Sequence, residues 1–191
     1  KKEIKTLINT DIKKWKDLKK AFLFCCDTGL KLSILKKLKW ENIHKNDNTS
    51  FYYYMINGGN KKYINTFSSV TRGILGKRKK NHSLIFKLPE KQSNMSKIFS
   101  EWIKRSKIKG NKKFNDAVNT YAYNKYKKSK NIYKISAALG HSSIDVTKQK
   151  YEYMNELDFF EDEVKENKIT IKKNKNIKRT LFKKGNLLTY K

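Results

Sequence analysis

The sequence has few of the residues that stabilise secreted folds or bind metals: two cysteines, one proline and three histidines in 191 residues. Cys25 and Cys26 are adjacent in an apolar run, so they cannot easily bridge each other, and they indicate buried thiols in a reducing compartment. His44, His82 and His141 are scattered, and no Cys/His spacing is typical of zinc. The sequence therefore predicts no metal, no cofactor, and a cytoplasmic or nucleoid-associated protein.

Long uncharged apolar runs are also missing, so we expect no segment that spans a bilayer and no membrane partner. No signal peptide is visible, although Lys1 is not a natural start. Hydrophobic residues make up 37% of the chain and aromatic residues 13%, which favours a packed domain over a disordered chain. The length predicts one good-sized core.

Acidic residues are scarce: 17 Asp and Glu stand against 46 Lys and Arg, a formal charge of +29. Self-repulsion at that charge costs stability, which favours a polyanionic partner, and nucleic acid is the default because neutralised phosphates release counterions. A solvated lysine-rich surface from an AT-rich genome is the alternative. Codon bias accounts for having only four arginines, but it does not account for the excess of Lys over Glu.

Apolar periodicity predicts a mainly α fold with a small antiparallel β-sheet. The first helix is predicted over 2–26, with Gly29 as its stop and Ser33 as the cap of a second helix. The aromatic run 50–56 and the segment 61–67 flank an Asn-Gly-Gly-Asn turn, which indicates a β-hairpin. Further helices are predicted over 69–76, 96–107, 115–128 and 131–139, with a last one capped by Ser143 or Asp145.

Two motifs carry a family resemblance. The first is Thr28-Gly29-Leu30-Lys31-Leu32-Ser33 after an apolar helix, followed by Trp40-Glu41-Asn42-Ile43, and the second is Leu139-Gly140-His141-Ser142-Ser143. With the hairpin and a helix near Asn115 between them, residues 2–160 resemble the catalytic domain of the tyrosine recombinases, the phage integrase family. The resemblance implies an α+β domain over residues 1–160.

The resemblance also implies a chemistry. In that family a Tyr hydroxyl attacks a DNA phosphodiester and forms a 3′-phosphotyrosine bond, with no metal. Two arginines offer forked donors to the negative charge of the transition state. A His or Lys assists proton transfer, and a Lys on the hairpin protonates the leaving oxygen.

Several of these positions depart from the family pattern. Lys31 stands where the first Arg is expected, and it keeps the charge but loses the planar fork. Asn115 and Val118 stand where the family has His-x-x-Arg, judged by Asn119-Thr120-Tyr121-Ala122. Asn57 stands near the place of the hairpin Lys, and Lys61 or Lys62 could substitute in a longer hairpin.

The later motif departs less. His141 fits the family's second His, but the nucleophile's place nine residues on is Lys150, with Tyr151 and Tyr153 beyond it. A slip of one residue rotates a helical side chain by about 100°, which a local bulge could correct. The catalytic candidates are therefore Tyr151, His141 and Lys31. The predicted DNA-contacting residues are Lys31, Asn57, Lys61, Lys62, Lys112, Lys113, Asn115, Thr120 and Ser142.

Residues 161–191 are predicted to form a basic C-terminal tail. Residues 165–191 hold ten cations against Glu166 alone, but also seven Ile, Leu and Phe residues, which favours docking in cis or in trans over a purely solvated tail. Because the family often docks this region onto a neighbouring protomer, a homo-oligomer is expected.

The sequence thus indicates a domain that binds nucleic acid, and the resemblance implies duplex DNA as the partner, with strand cleavage impaired or lost. An active but divergent recombinase remains one alternative. A structural RNA-binding protein of a ribonucleoprotein is the other, because electrostatics does not distinguish nucleic acids.

Overall fold

The computed structural model describes residues 2–12, 15–48, 51–58 and 61–155. Eight α-helices and three strands lie within these ranges, in agreement with the predicted mainly α fold with a small antiparallel sheet. The helices are α1 Lys2–Asn9, α2 Lys16–Thr28, α3 Leu32–Leu35, α4 Ser69–Leu75, α5 Gln92–Arg105, α6 Asp116–Ser129, α7 Ile132–Leu139 and α8 Ile144–Tyr151. The strands are β1 Ile43–Lys45, β2 Tyr52–Gly58 and β3 Lys61–Phe67. The predicted tail over 161–191 lies outside the described residues.

The chain divides into two compact units after Tyr121, within α6. Among the described residues the first unit holds 2–121 and the second 122–155. The first contains α1 to α5, the sheet and the start of α6, and the second contains the rest of α6 with α7 and α8.

The predicted single helix over 2–26 is wrong, because the structure divides it into α1 and α2. Trp15, just before α2, has a left-handed backbone (φ 63°), which a continuous helix does not allow. The Lys19 ammonium donates to the carbonyls of Ile8 (2.6 Å) and Thr10 (2.9 Å) at the end of α1. These bonds satisfy carbonyls that a helix leaves without partners where it ends.

α2 ends at a glycine cap, as predicted. Gly29 is left-handed (φ 68°) and its N–H donates to the carbonyl of Cys25 (2.8 Å). The next helix begins at Leu32, with Lys31 at the N-cap position. The prediction that Ser33 caps this helix is therefore wrong, since Ser33 lies inside its single turn.

The sheet has the order β1-β2-β3, antiparallel throughout. The β2–β3 hairpin confirms the prediction, with Asn57 directly opposite Lys62 near its tip. β1 was not predicted as a strand, and it adds a third strand by pairing Ile43 with Tyr54. Alternation along the strands puts one face of the sheet against the core, where Tyr54 and Phe67 are each 3% exposed.

α2 is the central element of the first unit's core. The Phe22 ring lies 5.1 Å from Phe99, 5.7 Å from Trp102 and 5.6 Å from Phe114, measured between centroids. Two residues on, Phe24 packs against the rings of Tyr54, Phe67 and Phe86 at 6.3, 5.2 and 5.7 Å. The helix therefore joins a helical cluster to the inner face of the sheet.

The second unit is built on α7 and α8, which lie against each other. Gly140 ends α7 in a left-handed conformation (φ 65°), and the Ser143 hydroxyl caps α8 by accepting from the Asp145 N–H (3.1 Å). Both features follow the sequence prediction. The Tyr126 hydroxyl donates to Asn155 (2.6 Å), which fixes the segment after α8 against α6.

The core contacts of Phe22 give a stability prediction. Phe22→Ala removes a fully buried ring with three aromatic neighbours, and we expect the free energy of unfolding to fall by about 3–5 kcal/mol. Val70→Ala truncates a side chain that is 77% exposed, so its effect stays within about 0.5 kcal/mol. Urea denaturation followed by circular dichroism measures both, and equal effects would contradict the central place of α2.

Candidate functional site

The turn between α2 and α3 carries the first predicted catalytic position. The Thr28 hydroxyl donates to the Phe24 carbonyl (2.8 Å), and the Lys31 carbonyl accepts from the Ile34 and Leu35 N–H groups (3.0 and 2.9 Å). The Lys31 side chain is exposed at this hydrogen-bonded turn. It offers an ammonium, a point charge, where the resemblance implies the flat two-pronged donor of an Arg.

The start of α6 carries the second position. Asn115 is exposed, and its carbonyl accepts from the Val118 N–H (3.0 Å). Val118 is 5% exposed. The place where the resemblance implies a second Arg is therefore an apolar position of the interior, with no donor for a phosphate.

A buried carboxylate that the sequence analysis missed lies between these two residues. Asp116 is 3% exposed, and its carboxylate accepts from the Lys113 N–H (2.8 Å) and from the Asn119 amide (3.3 Å). Burial raises the pKa of Asp116, and the bond from Lys113 and the charge of Lys112 oppose that rise. When ionised, this carboxylate repels a phosphate at the start of α6. The spacing Asp116-x-x-Asn119 at a helix start was the available signal.

Asn65 was also missed, and it connects three elements of the site. Its amide donates to the Thr28 carbonyl (3.0 Å) and to the Tyr121 hydroxyl (2.6 Å). These bonds hold the end of α2, the strand β3 and the first half of α6 together within the first unit. The structure thereby brings the turn that precedes Lys31 close to α6. An Asn at an inward strand position between Tyr63 and Phe67 was the signal in the sequence.

The hairpin places Asn57 and Lys62 opposite each other, and both side chains are exposed. Lys62 and Asn57 therefore lie side by side on one face of the sheet. Because Asn57 stands near the place of the family's hairpin Lys, Lys62 is the cation paired in register with that place. The backbone of Lys61 pairs with Gly58. The catalytic or DNA-contacting use of these residues stays a prediction.

The other predicted contacts in the first unit differ in exposure. Lys113 is exposed. The Lys112 side chain is only 10% exposed, and its ammonium lies 3.8 Å from the Glu3 carboxylate. Thr120 is 1% exposed and its hydroxyl donates to the Asp116 carbonyl (2.8 Å). Lys113 can meet a phosphate as it stands, whereas Lys112 and Thr120 must first leave these partners.

The second unit holds the later motif. The N–H of His141 donates to the Ser136 carbonyl (3.1 Å), and its Nδ1 lies 2.7 Å from the Thr147 hydroxyl of α8. The imidazole is half-buried and oriented by that hydroxyl, while Ser142 is exposed. This arrangement fits a positioned imidazole, and it also fits a structural link between α7 and α8.

Tyr151, the predicted nucleophile, is 1% exposed. Burial raises the pKa of Tyr151, and the nearby Tyr153 raises it further, so its phenolate is disfavoured. α8 is unbroken from Ile144 to Tyr151, which means that this helix contains no bulge that would shift the register of Tyr151. Lys150, nine residues after His141, is exposed and lies with its ammonium 5.1 Å from the Tyr151 ring centroid. The helix therefore presents a lysine to solvent where the resemblance implies the nucleophile.

The residues that the structure describes contain neither a metal-binding cluster nor a membrane-spanning helix. No group of three His, Cys, Asp or Glu side chains in those ranges is arranged to hold a metal ion. None of the described helices is long and apolar enough to cross a membrane. Cys25 is buried with its thiol 3.0 Å from the Leu30 carbonyl, and burial raises the pKa of that thiol, so it is a packing residue.

The raised pKa of Asp116 gives a pH prediction. A carboxyl whose pKa is higher in the folded than in the unfolded state favours folding below the unfolded pKa, and this contribution is lost as the pH rises through the folded pKa. Asp116→Asn removes the ionisable group, so the variant does not lose this stability as the pH rises, and it keeps an acceptor for the Lys113 N–H. We therefore expect the variant to gain stability relative to the native chain between pH 4 and pH 7. Urea titrations at both pH values measure it, with Asp47→Asn as an exposed control, and a gain that shrinks toward pH 7 would contradict the assignment.

Comparisons with known proteins agree with the fold described above. The model of the phage integrase family matches residues 1–157. Among curated proteins, none matches the sequence significantly. Of the solved structures, the XerH site-specific recombinase bound to palindromic difH substrate superposes with a TM-score of 0.69 at 16% identity, over 85% of this chain and 50% of XerH. The catalytic domain of bacteriophage HP1 integrase gives 0.55 at 20% identity, over 78% of this chain and 83% of that domain.

A third structure, the Tn1549 transposon integrase in complex with circular intermediate DNA, gives a TM-score of 0.53 at 15% identity, over 76% of this chain and 57% of that one. At these identities the superpositions show a shared fold. The chain spans about half the length of XerH. Because the family model covers most of the sequence and the fold agrees, this chain belongs to the phage integrase family.

Proposed function

We propose that this chain is a duplex-DNA-binding domain of an integrase-like protein in which strand cleavage is impaired or lost. The observation that carries the proposal is which residues occupy the two positions where the resemblance implies arginine, and how exposed they are. One is Lys31, exposed but without a fork, and the other is Val118, 5% exposed and apolar. The buried carboxylate of Asp116 lies beside the second of them.

DNA binding is supported by the charge and by the exposed groups of the first unit. The formal charge is +29, and Lys31, Lys62, Lys113 and Asn115 are exposed on the elements that the resemblance assigns to DNA. XerH and the Tn1549 integrase, which share the fold, were solved with DNA bound. Contacts of this kind grip phosphates without reading bases, and their affinity falls steeply with salt.

Impaired cleavage follows from the transition state. A pentacoordinate phosphorus places negative charge on its non-bridging oxygens, and each lost donor costs about two to three decades in rate. The losses at Lys31 and Val118 compound, although not additively. Among the described arginines, Arg72 stacks on Trp40 (5.1 Å) and donates to the Gly76 carbonyl (2.7 Å). Arg78 donates to the Ile43 carbonyl (3.2 Å), so these two are engaged in structural contacts. Arg105, the third described arginine, is exposed in the last turn of α5.

Covalent trapping tests the loss of cleavage. The full chain is incubated with nicked suicide duplexes of randomised sequence, and adducts are sought on denaturing gels. We expect none, because Tyr151 is enclosed and the arginine positions are degenerate. XerH on its own difH site serves as the positive control. An adduct that Tyr151→Phe abolishes would contradict the proposal and establish the divergent but active recombinase.

The salt dependence of binding tests the DNA surface. Lys31→Gln and Lys113→Gln each remove one exposed cation, and each is expected to reduce the slope of log affinity against log salt by about 1. Lys97→Gln, at an exposed position of α5, is the matched control and leaves the slope unchanged. Competition with structured RNA at physiological salt completes the experiment. Preference for the RNA, or equal slopes for all three variants, would overturn duplex binding at this site.

A further inference from the structure

The outer face of the sheet is unusual for a surface so rich in lysine. Side chains on the inner face are buried against the core, but the alternate positions form rows on the opposite face. The rows are His44–Tyr53–Thr66, then Met55–Ile64, then Asn57–Lys62. Ile64 is 54% exposed and Phe51, just before β2, is 55% exposed. The face therefore presents aromatic and apolar groups to solvent.

Two rings on this face are already arranged as a stack. His44 and Tyr53 are direct cross-strand partners, with ring centroids 5.0 Å apart and planes 22° from parallel. Tyr53 also lines a cavity of about 250 Å³, together with Asn46, Phe51, Tyr52 and Thr66. A planar ring that enters this cavity meets aromatic side chains and the amide of Asn46, so the site offers both a stacking surface and a polar edge.

The surroundings of the face are strongly cationic. Residues 39–82 contain nine Lys and Arg against Glu41 and Asp47. Arg78 donates to the Ile43 carbonyl of β1 (3.2 Å) and to Asn81 (3.2 Å). These bonds hold the loop 77–80, four consecutive exposed cations, beside the first strand. Lys62 adds a cation on the face itself. The chemistry next to the rings is therefore suited to a polyanion.

We propose that the outer face of the sheet binds single-stranded nucleic acid, with one base stacked on Tyr53 and the phosphates along Lys62 and the loop 77–80. Aromatic platforms beside cations bind single strands because unpaired bases expose their π-faces. A duplex keeps those faces stacked inside and offers this surface only its phosphates. The proposal goes beyond duplex binding at Lys31 and Lys113, because it assigns a second class of nucleic acid to the sheet face around Tyr53, which shares Asn57 and Lys62 near the hairpin tip with the predicted duplex contacts.

The test compares a labelled oligothymidylate with a duplex of equal length, by fluorescence anisotropy on the full chain. Tyr53→Leu keeps an apolar side chain but removes the ring, and it should weaken binding of the single strand by about 5- to 100-fold. Tyr53→Phe keeps the ring and should retain native affinity. Duplex binding should be unchanged in both. Tyr133→Leu, which alters a tyrosine 63% exposed in the second unit, is the matched control.

Three results would overturn the proposal. Tyr53→Leu and Tyr53→Phe affecting the single strand alike would show that no stacking is involved. If Tyr53→Leu lowered the affinities for single strand and duplex equally, this face would be part of the duplex-binding surface. Duplex binding itself is tested separately, by Lys31→Gln and Lys113→Gln. A concentration-dependent dimer in sedimentation that Tyr53→Leu dissociates, with strand binding intact, would assign the face to a second copy. His44→Leu supplies the same readouts if Tyr53→Leu lowers the melting temperature.

Discussion

Burial of residues 21–26 of α2 on all sides is the constraint on which the first unit depends. Phe22 faces the helical cluster and Phe24 faces the sheet, and both are 0% exposed. A helix enclosed in this way cannot shift along its axis without opening one of two aromatic clusters, so its C-terminal end is fixed in space. Gly29 then turns the chain, and Asn65 holds the last carbonyl of α2 to β3. The position of Lys31 is therefore a consequence of core packing.

The same packing explains why the two positions that the resemblance implies for arginine differ. Lys31 lies beyond the glycine cap, in solvent, where any cation is tolerated. Val118 lies on the inner side of α6, where its 5% exposure makes it part of the interior. A guanidinium there would need to be paired and hydrogen-bonded to offset its desolvation. The nearby carboxylate of Asp116 already accepts from Lys113 and Asn119, so it is engaged in the start of α6.

Local patterns in the sequence were sufficient for much of this fold. The hairpin, the Gly29 and Gly140 stops and the Ser143 cap each depend on a few neighbouring residues, and all are present. The break between α1 and α2 was missed because the apolar spacing continues through Trp15. The left-handed backbone of Trp15 has no signal in the sequence pattern. β1 was missed because three residues are too few to show alternation.

For the candidate site, too, local features could be predicted from the sequence and tertiary features could not. The motif positions could be assigned from the sequence, but exposure could not, since burial of Tyr151 and Thr120 depends on residues far along the chain. Asn65 was missed because its role consists of tertiary hydrogen bonds. The hydrogen bonds of Asp116 are local, and what the sequence did not show was its burial. Lys150 and Tyr151 are neighbours in α8, and the sequence does not show which of them faces solvent. In the structure the helix is unbroken up to Tyr151, and the exposed residue is Lys150.

Net charge and exposed rings make different contributions to recognition, and this difference connects the two proposals. Lysines such as Lys31 and Lys113 attract any phosphate backbone, so their binding energy decreases steeply as salt competes for the phosphates. Stacking on Tyr53 depends on access to an unpaired base and is much less sensitive to salt. A chain that carries both kinds of surface should therefore shift its preference from duplex toward single strands as the ionic strength rises. In the two proposals, the excess of lysine provides attraction to nucleic acid in general, whereas the row His44–Tyr53–Thr66 provides the discrimination that charge lacks.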